Sequence, residues 1–230
     1  MKIIGILGGM SVESTKIYYN VLCRLTATKL GGLNSPELII RSVNFAEIDK
    51  MQQQGQWYEA GLYLNQEAQK LEAAGAQILL LATNTMHKLC DEMLADTHLD
   101  FIHIAEATAS QIIASGFKSP ALIATKFTME QDFYTDNLKE AGLTPIIPNA
   151  DDRDSIHSVI FDELCIGDIR AESIDKFVQI ADRLKSAGAD CLILGCTEVC
   201  MLLNQNNTSL PLFDTTEIHC QAAFERALSN

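Results

Sequence analysis

Residues 71–87 read LEAAGAQILLLATNTMH, and residues 184–200 read LKSAGADCLILGCTEVC. Set side by side, Leu71, Ala74, Gly75, Ala76, Leu79 and Leu81 face Leu184, Ala187, Gly188, Ala189, Leu192 and Leu194. The shift is 113 residues in a chain of 230. Each stretch ends a helix at a glycine, which enters left-handed backbone without a Cβ clash, and then runs into a short apolar strand. KIIGILGGM (2–10) against KSPALIATK (118–126) repeats the match at nearly the same shift. A single helix–AGA–strand echo recurs by chance and carries little. Two echoes at nearly one shift point to a duplicated α/β lobe.

The rest of the chain keeps this rhythm. Ile3–Leu7, Glu37–Val43, Ile78–Ala82 and Phe101–Ile104 read as strands, and so do Ala121–Ala124, Pro145–Ile147, Cys191–Leu194 and Leu210–Phe213. Longer amphipathic stretches separate them. One runs from Ser11, a natural N-cap, to about Lys29; another runs from Trp57 to Ala74. Strands that are apolar throughout and alternate with helices mean parallel sheets covered on both faces. The rhythm therefore predicts an α/β fold of two similar lobes with parallel sheets flanked by helices. Ligands of parallel sheets bind beyond the carboxyl ends of the strands. Two lobes facing each other would bring equivalent strand ends to one cleft, and the echo pairs Thr83 with Cys196 there. Asn84 and Thr85 follow the first, and Thr197 and Glu198 follow the second.

Composition removes several classes of function. Apolar residues make up 47% and charged residues 20%, as in an ordinary globular protein. Lys and Arg number 17 against 30 Asp and Glu, a net charge of −13. With no basic stripe, neither nucleic acid nor an anionic membrane surface is an expected partner. The seven cysteines include no CxxC pair and no set with zinc-ligand spacing, so neither a disulfide framework nor a structural metal is expected. Free thiols fit a reducing cytoplasm. The opening MKIIGILGGM is broken by glycines and reads as a buried strand rather than a signal peptide. No run approaches the roughly 18 apolar residues of a membrane helix.

A few residues carry chemistry. Cys196, in GCTE, lies between a strand and an expected helix, whose first N–H groups would lower the thiol pKa. The plainer alternative is a buried structural cysteine, which suits Cys23, Cys191 and Cys200. A threonine hydroxyl is a poor general base, since its pKa lies far above working pH. Thr83, Asn84 and Thr85 serve equally well as helix caps or as donors to a carboxylate. GGMS at 8–11 offers close backbone approach and N–H groups at a helix start, a ready anion site. It is not GxGxxG, and no acidic Rossmann partner is evident. His87 either relays protons or simply packs.

ILGGMSVEST, TNTMH, GCTE and FDTTEIH, in this order over nearly the whole chain, resemble the aspartate/glutamate racemase family of cofactor-independent enzymes. The resemblance implies two α/β lobes, each around a four-stranded parallel sheet and related by a pseudo-twofold axis, with the site in the cleft between them. It implies two-base racemisation, in which one thiolate removes the Cα proton and the opposite thiol returns one to the other face. Cys196 takes the second catalytic position. Thr83 stands where many members have the first cysteine, which implies a kinetically asymmetric racemase of aspartate or glutamate. Met10, Ser11, Asn84, Thr85 and Thr197 match ligand-contacting positions, and Gln52 is a further contact candidate. On the same resemblance the closing helix returns to the first lobe. That gives lobes of 1–104 plus 214–230 and of 105–213, in a homodimer with no cofactor and no metal.

Two rival functions stay open on sequence alone. One is a decarboxylase or isomerase of a small dicarboxylic acid, with a single thiol protonating an enediolate. The other is a non-catalytic sensor of acidic amino acids. Solvent deuterium entering Cα, release of carbon dioxide, or ligand-raised melting alone would separate the three.

Overall fold

The computed structural model describes residues 1–229. They run β1 (Ile4–Gly8), α1 (Val12–Leu30), β2 (Leu38–Ser42), α2 (Phe45–Gln53), α3 (Trp57–Ala73), β3 (Ile78–Leu81), α4 (Cys90–Leu94), β4 (Asp100–Phe101) and α5 (Ile104–Ala114). The chain continues through β5 (Pro120–Ile123), α6 (Lys126–Glu130), α7 (Asp132–Glu140), α8 (Ala150–Asp162), α9 (Ala171–Ser186), β6 (Cys191–Leu194), β7 (Leu212–Asp214) and α10 (Thr215–Leu228). Two compact units result. The first holds Met1–His103 with the chain from His219 onward, and the second holds Ile104–Ile218.

The first unit carries a parallel sheet in the order β2-β1-β3-β4. All of β1 and β3 is buried. Alternate strand residues serve different faces: Leu7, Leu79 and Leu81 join Leu64, Ala68 and Leu71 of α3 in one apolar cluster. Each fully buried Leu or Ile contributes about 1.5–3 kcal/mol through lost apolar exposure, so these central strands are the main support of the unit. Ser11 caps α1, its hydroxyl accepting from the Ser14 N–H at 3.1 Å. The register Gly8↔Ser42 and Leu7↔Leu81 brings the carboxyl ends of β1, β2 and β3 level.

The second unit carries a parallel sheet in the order β5-β6-β7. Phe177, Ile180, Ala181 and Leu184 line the inner stripe of α9, at the spacing a one-sided helix needs. The fold is α/β with parallel sheets, but this sheet has three strands where four were expected. The expected strand Pro145–Ile147 is reduced to one bridge, Ala121↔Ile146, held by two backbone hydrogen bonds to Pro120 and Leu122. Pro145 and Pro148 on either side have no N–H to extend the ladder. With that bridge counted, the second sheet repeats the strand order of the first.

Candidate active site

At the carboxyl edge of the first sheet, β1 turns sharply at Gly8-Gly9. Gly9 has φ +92°, and a Cβ there would lie 2.3 Å from the Val43 carbonyl oxygen. Only glycine lets this turn close against the end of β2. The Gly9 N–H donates to Thr15 Oγ1 at 2.7 Å, so this donor and that of Ser14 serve the turn itself. Met10 and Ser11 are buried beside it. Ser14 Oγ donates to the Ala82 carbonyl at 2.7 Å, which binds the start of α1 to the residue before Thr83.

Thr83 follows β3 in a tight bend, its N–H donating to the Leu81 carbonyl at 2.8 Å. A 3₁₀ turn, Thr85–Leu89, begins next, and Asn84 at its start makes no side-chain cap bond, so capping does not account for Asn84. Thr83, Asn84 and Thr85 are buried. Gln52, near the end of α2, is also buried, and its Nε2 donates to Met86 Sδ at 2.8 Å. Its Oε1 has no protein partner. A buried acceptor without a donor costs about 1–3 kcal/mol, which makes Gln52 Oε1 a ready ligand for an N–H or O–H group. Within this unit, then, Met10, Ser11, Gln52 and Thr83–Thr85 are gathered at one sheet edge.

His87 packs in the core against the backbone of Thr83. Its Nδ1 lies 2.8 Å from the Thr83 carbonyl oxygen. A carbonyl only accepts, so Nδ1 carries the proton. The ring is buried among Phe101, His103 and His219. Burial, with His103 and His219 close by, holds its pKa well below the usual histidine value. His219 is fixed in the same way: Nε2–H donates to the Ile102 carbonyl at 2.7 Å, and Nδ1 accepts from the Tyr18 hydroxyl at 2.7 Å.

In the second unit, Cys196 is buried just past β6. Gly195 precedes it because a Cβ there would lie 2.6 Å from Leu122 Cδ1. Ala124 Cβ, at 3.0 Å, crowds the same position. The helix expected after GCTE is absent; only a three-residue 3₁₀ turn, Val199–Met201, follows. The expected lowering of the thiol pKa is therefore reversed. Burial pushes the Cys196 thiol well above its usual value, and the Glu198 carboxylate adds to the effect. Cys196 Sγ lies 3.0 Å from Glu198 Oε2, and Thr197 Oγ1 donates to the same oxygen at 2.6 Å. Cys165 Sγ stands 4.0 Å from Glu198 Oε1. Cys200 donates to the Thr197 carbonyl, and burial and Asp214 push its thiol up to about 12. Glu198 is not among the residues that the resemblance implies for the site. Its signal was present: a carboxylate two residues after a thiol in a turn can fold back onto it.

Among the described residues, no group of three His, Cys, Asp or Glu is arranged to hold a metal ion. Among the same residues, no helix is long and apolar enough to cross a membrane.

The two parallel α/β sheets agree with what known proteins show. A model of the Asp/Glu/Hydantoin racemase family matches residues 7–223. The chain belongs to that family, and so to the isomerases. It is 41% identical to a candidate Asp/Glu racemase from Yersinia pestis, with a TM-score of 0.91 over 100% of both chains. It is 34% identical to an aspartate racemase homologue from Pyrococcus horikoshii OT3, with a TM-score of 0.86, again over 100% of both. An aspartate racemase from Picrophilus torridus shares the fold at 23% identity and a TM-score of 0.80, over 99% of this chain and 94% of that one.

Proposed function

We propose that the chain racemises an acidic amino acid, aspartate or glutamate, without a cofactor. Cys196 is the main acid/base and Thr83 holds the opposite catalytic position. What carries this reading is the equivalence of β3–Thr83 and β6–Cys196: the same strand-end position in each repeat bears a side chain able to hold a proton. As a thiolate, Cys196 takes the Cα proton. The Thr83 hydroxyl returns one from the other side and is refilled from solvent. Threonine accepts a proton far less readily than a thiolate, so α-deprotonation is faster for the enantiomer that Cys196 serves. The equilibrium between enantiomers is unchanged, because a catalyst lowers both directions of one barrier.

Met10, Ser11, Asn84, Thr85 and Thr197 position the substrate. Gln52 Oε1, an acceptor, suits the substrate ammonium rather than a carboxylate. The enzyme acts in the cytoplasm as a homodimer. The test is incubation with single enantiomers of aspartate and glutamate in deuterated water. Deuterium at Cα with loss of optical purity supports racemisation. Release of carbon dioxide, or ligand-raised melting without exchange, would replace it with a decarboxylase or a sensor.

A further inference from the structure

We infer that Glu198 is the proton acceptor for the Cys196 thiol, making Cys196 and Glu198 a working acid/base pair; the inference rests on the racemase reading for its role in turnover. Glu198 is buried, at 3% exposure. Its Oε2 receives the Cys196 S–H at 3.0 Å and the Thr197 O–H at 2.6 Å. An oxygen accepting from two such donors is not itself the bearer of a proton. Cys196 thus rests as a thiol beside a carboxylate.

Among the groups facing the pair within its unit are Cys165, Thr197 and Cys200, with Asp214 behind Cys200. A thiol in this setting gives up its proton most easily to the acceptor already hydrogen-bonded to it, because a positioned base removes the cost of bringing one. The step balances. The S–H proton moves to Glu198 Oε2, leaving a thiolate and a neutral carboxylic acid. The thiolate takes the substrate Cα proton and is again a thiol. Thr83 gives its hydroxyl proton to the planar carbanion. Glu198 then releases its proton to solvent, and solvent refills the Thr83 hydroxyl.

Glu198→Gln keeps the shape and removes the acceptor. Two readouts follow. The first needs no substrate: the pH dependence of Cys196 alkylation by iodoacetamide, followed by peptide mass spectrometry. Removing the adjacent negative charge should lower the labelling midpoint by about one pH unit or more. An unchanged midpoint in the folded variant overturns the pairing. The second is initial Cα deuterium uptake by each enantiomer. Glu198→Gln should slow the enantiomer served by Cys196 by about a hundredfold, with KM within about twofold and the other enantiomer less affected. Glu198→Asp, which keeps a carboxylate, should restore part of the loss.

Uptake in Glu198→Gln equal to or faster than wild type overturns the acceptor role, since Glu198 would then only hold the thiol protonated. If Glu198→Gln fails to fold, Glu198→Asp carries the test. Its carboxylate stands back by one methylene and should slow the same enantiomer selectively, whereas equal slowing of both overturns the proposal. Wild type that exchanges no Cα proton, while Glu198→Gln still shifts the labelling midpoint, keeps the pair and overturns the racemase reading alone.

Discussion

Glu198 Oε2 lies 3.0 Å from Cys196 Sγ, inside a buried turn just past β6. This contact reverses what strand-then-helix spacing implies for the thiol. A helix start would stabilise a thiolate, whereas a buried carboxylate beside the sulfur destabilises it. On the proposed mechanism Cys196 then becomes a base only when another group accepts its proton.

Cys196 should be poorly reactive toward iodoacetamide at neutral pH and become more reactive as pH rises, because the thiolate fraction grows toward a raised pKa. Bound substrate should protect it. Cys196→Ser keeps the shape but carries a hydroxyl of much higher pKa. Racemisation should fall by about a hundredfold or more, read as the initial rate of optical rotation change. A fewfold loss would place the chemistry elsewhere.

The buried histidines make stability pH-dependent in the first unit. Burial holds the folded pKa of His219 down to about 3, against the ordinary 6.5 of an exposed histidine. Between these values the unfolded chain binds the proton and the folded chain does not, so stability rises with pH across this window. Stability should fall by up to about 1.4 kcal/mol per pH unit as pH is lowered from about 6.5 toward 3, read as a falling melting temperature. His219→Phe, which does not titrate, should melt lower at pH 7 but lose stability less steeply on acidification. An unaltered slope would mean that His219 is protonated in the fold.

Gly9→Ala should cost about 1–3 kcal/mol or more through backbone strain and overpacking. Its Cβ would meet the Val43 carbonyl at 2.3 Å, with φ at +92°. The predicted readout is a lower melting temperature and weaker substrate binding, since Met10 and Ser11 are carried on the same turn. Near-native melting would show that the turn relaxes freely.

Much of the fold was legible because apolar periodicity is local. Cys191–Leu194 is a strand where the pattern put one, and Ser11 caps α1 through its own hydroxyl. The second sheet falls short of its expected fourth strand because Pro145 and Pro148 limit the ladder around Ile146 to a single bridge. The GCTE turn was misread for a different reason. Motif spacing places a thiol at a strand end, but whether a helix follows depends on backbone geometry after Thr197. Its pKa depends on desolvation and on the Glu198 rotamer, neither of which a residue string specifies. His87 followed the same pattern. The string supplies an imidazole four residues after Thr83, and the fold shows that it reaches the carbonyl rather than the hydroxyl.

The central claim, that Cys196 and Thr83 serve the two hydrogen positions of one Cα, is tested most directly by the enantiomer ratio of exchange. Initial Cα deuterium incorporation is measured for D- and L-aspartate and D- and L-glutamate, with wild type and Thr83→Cys. Cysteine is close to threonine in volume, so the bend after β3 should accept it. The wild-type rates for the two enantiomers should differ, and Thr83→Cys should bring them nearer to equality by supplying a second thiol. An unchanged ratio in a folded, active Thr83→Cys protein would contradict the claim and return Thr83 to a ligand-binding role.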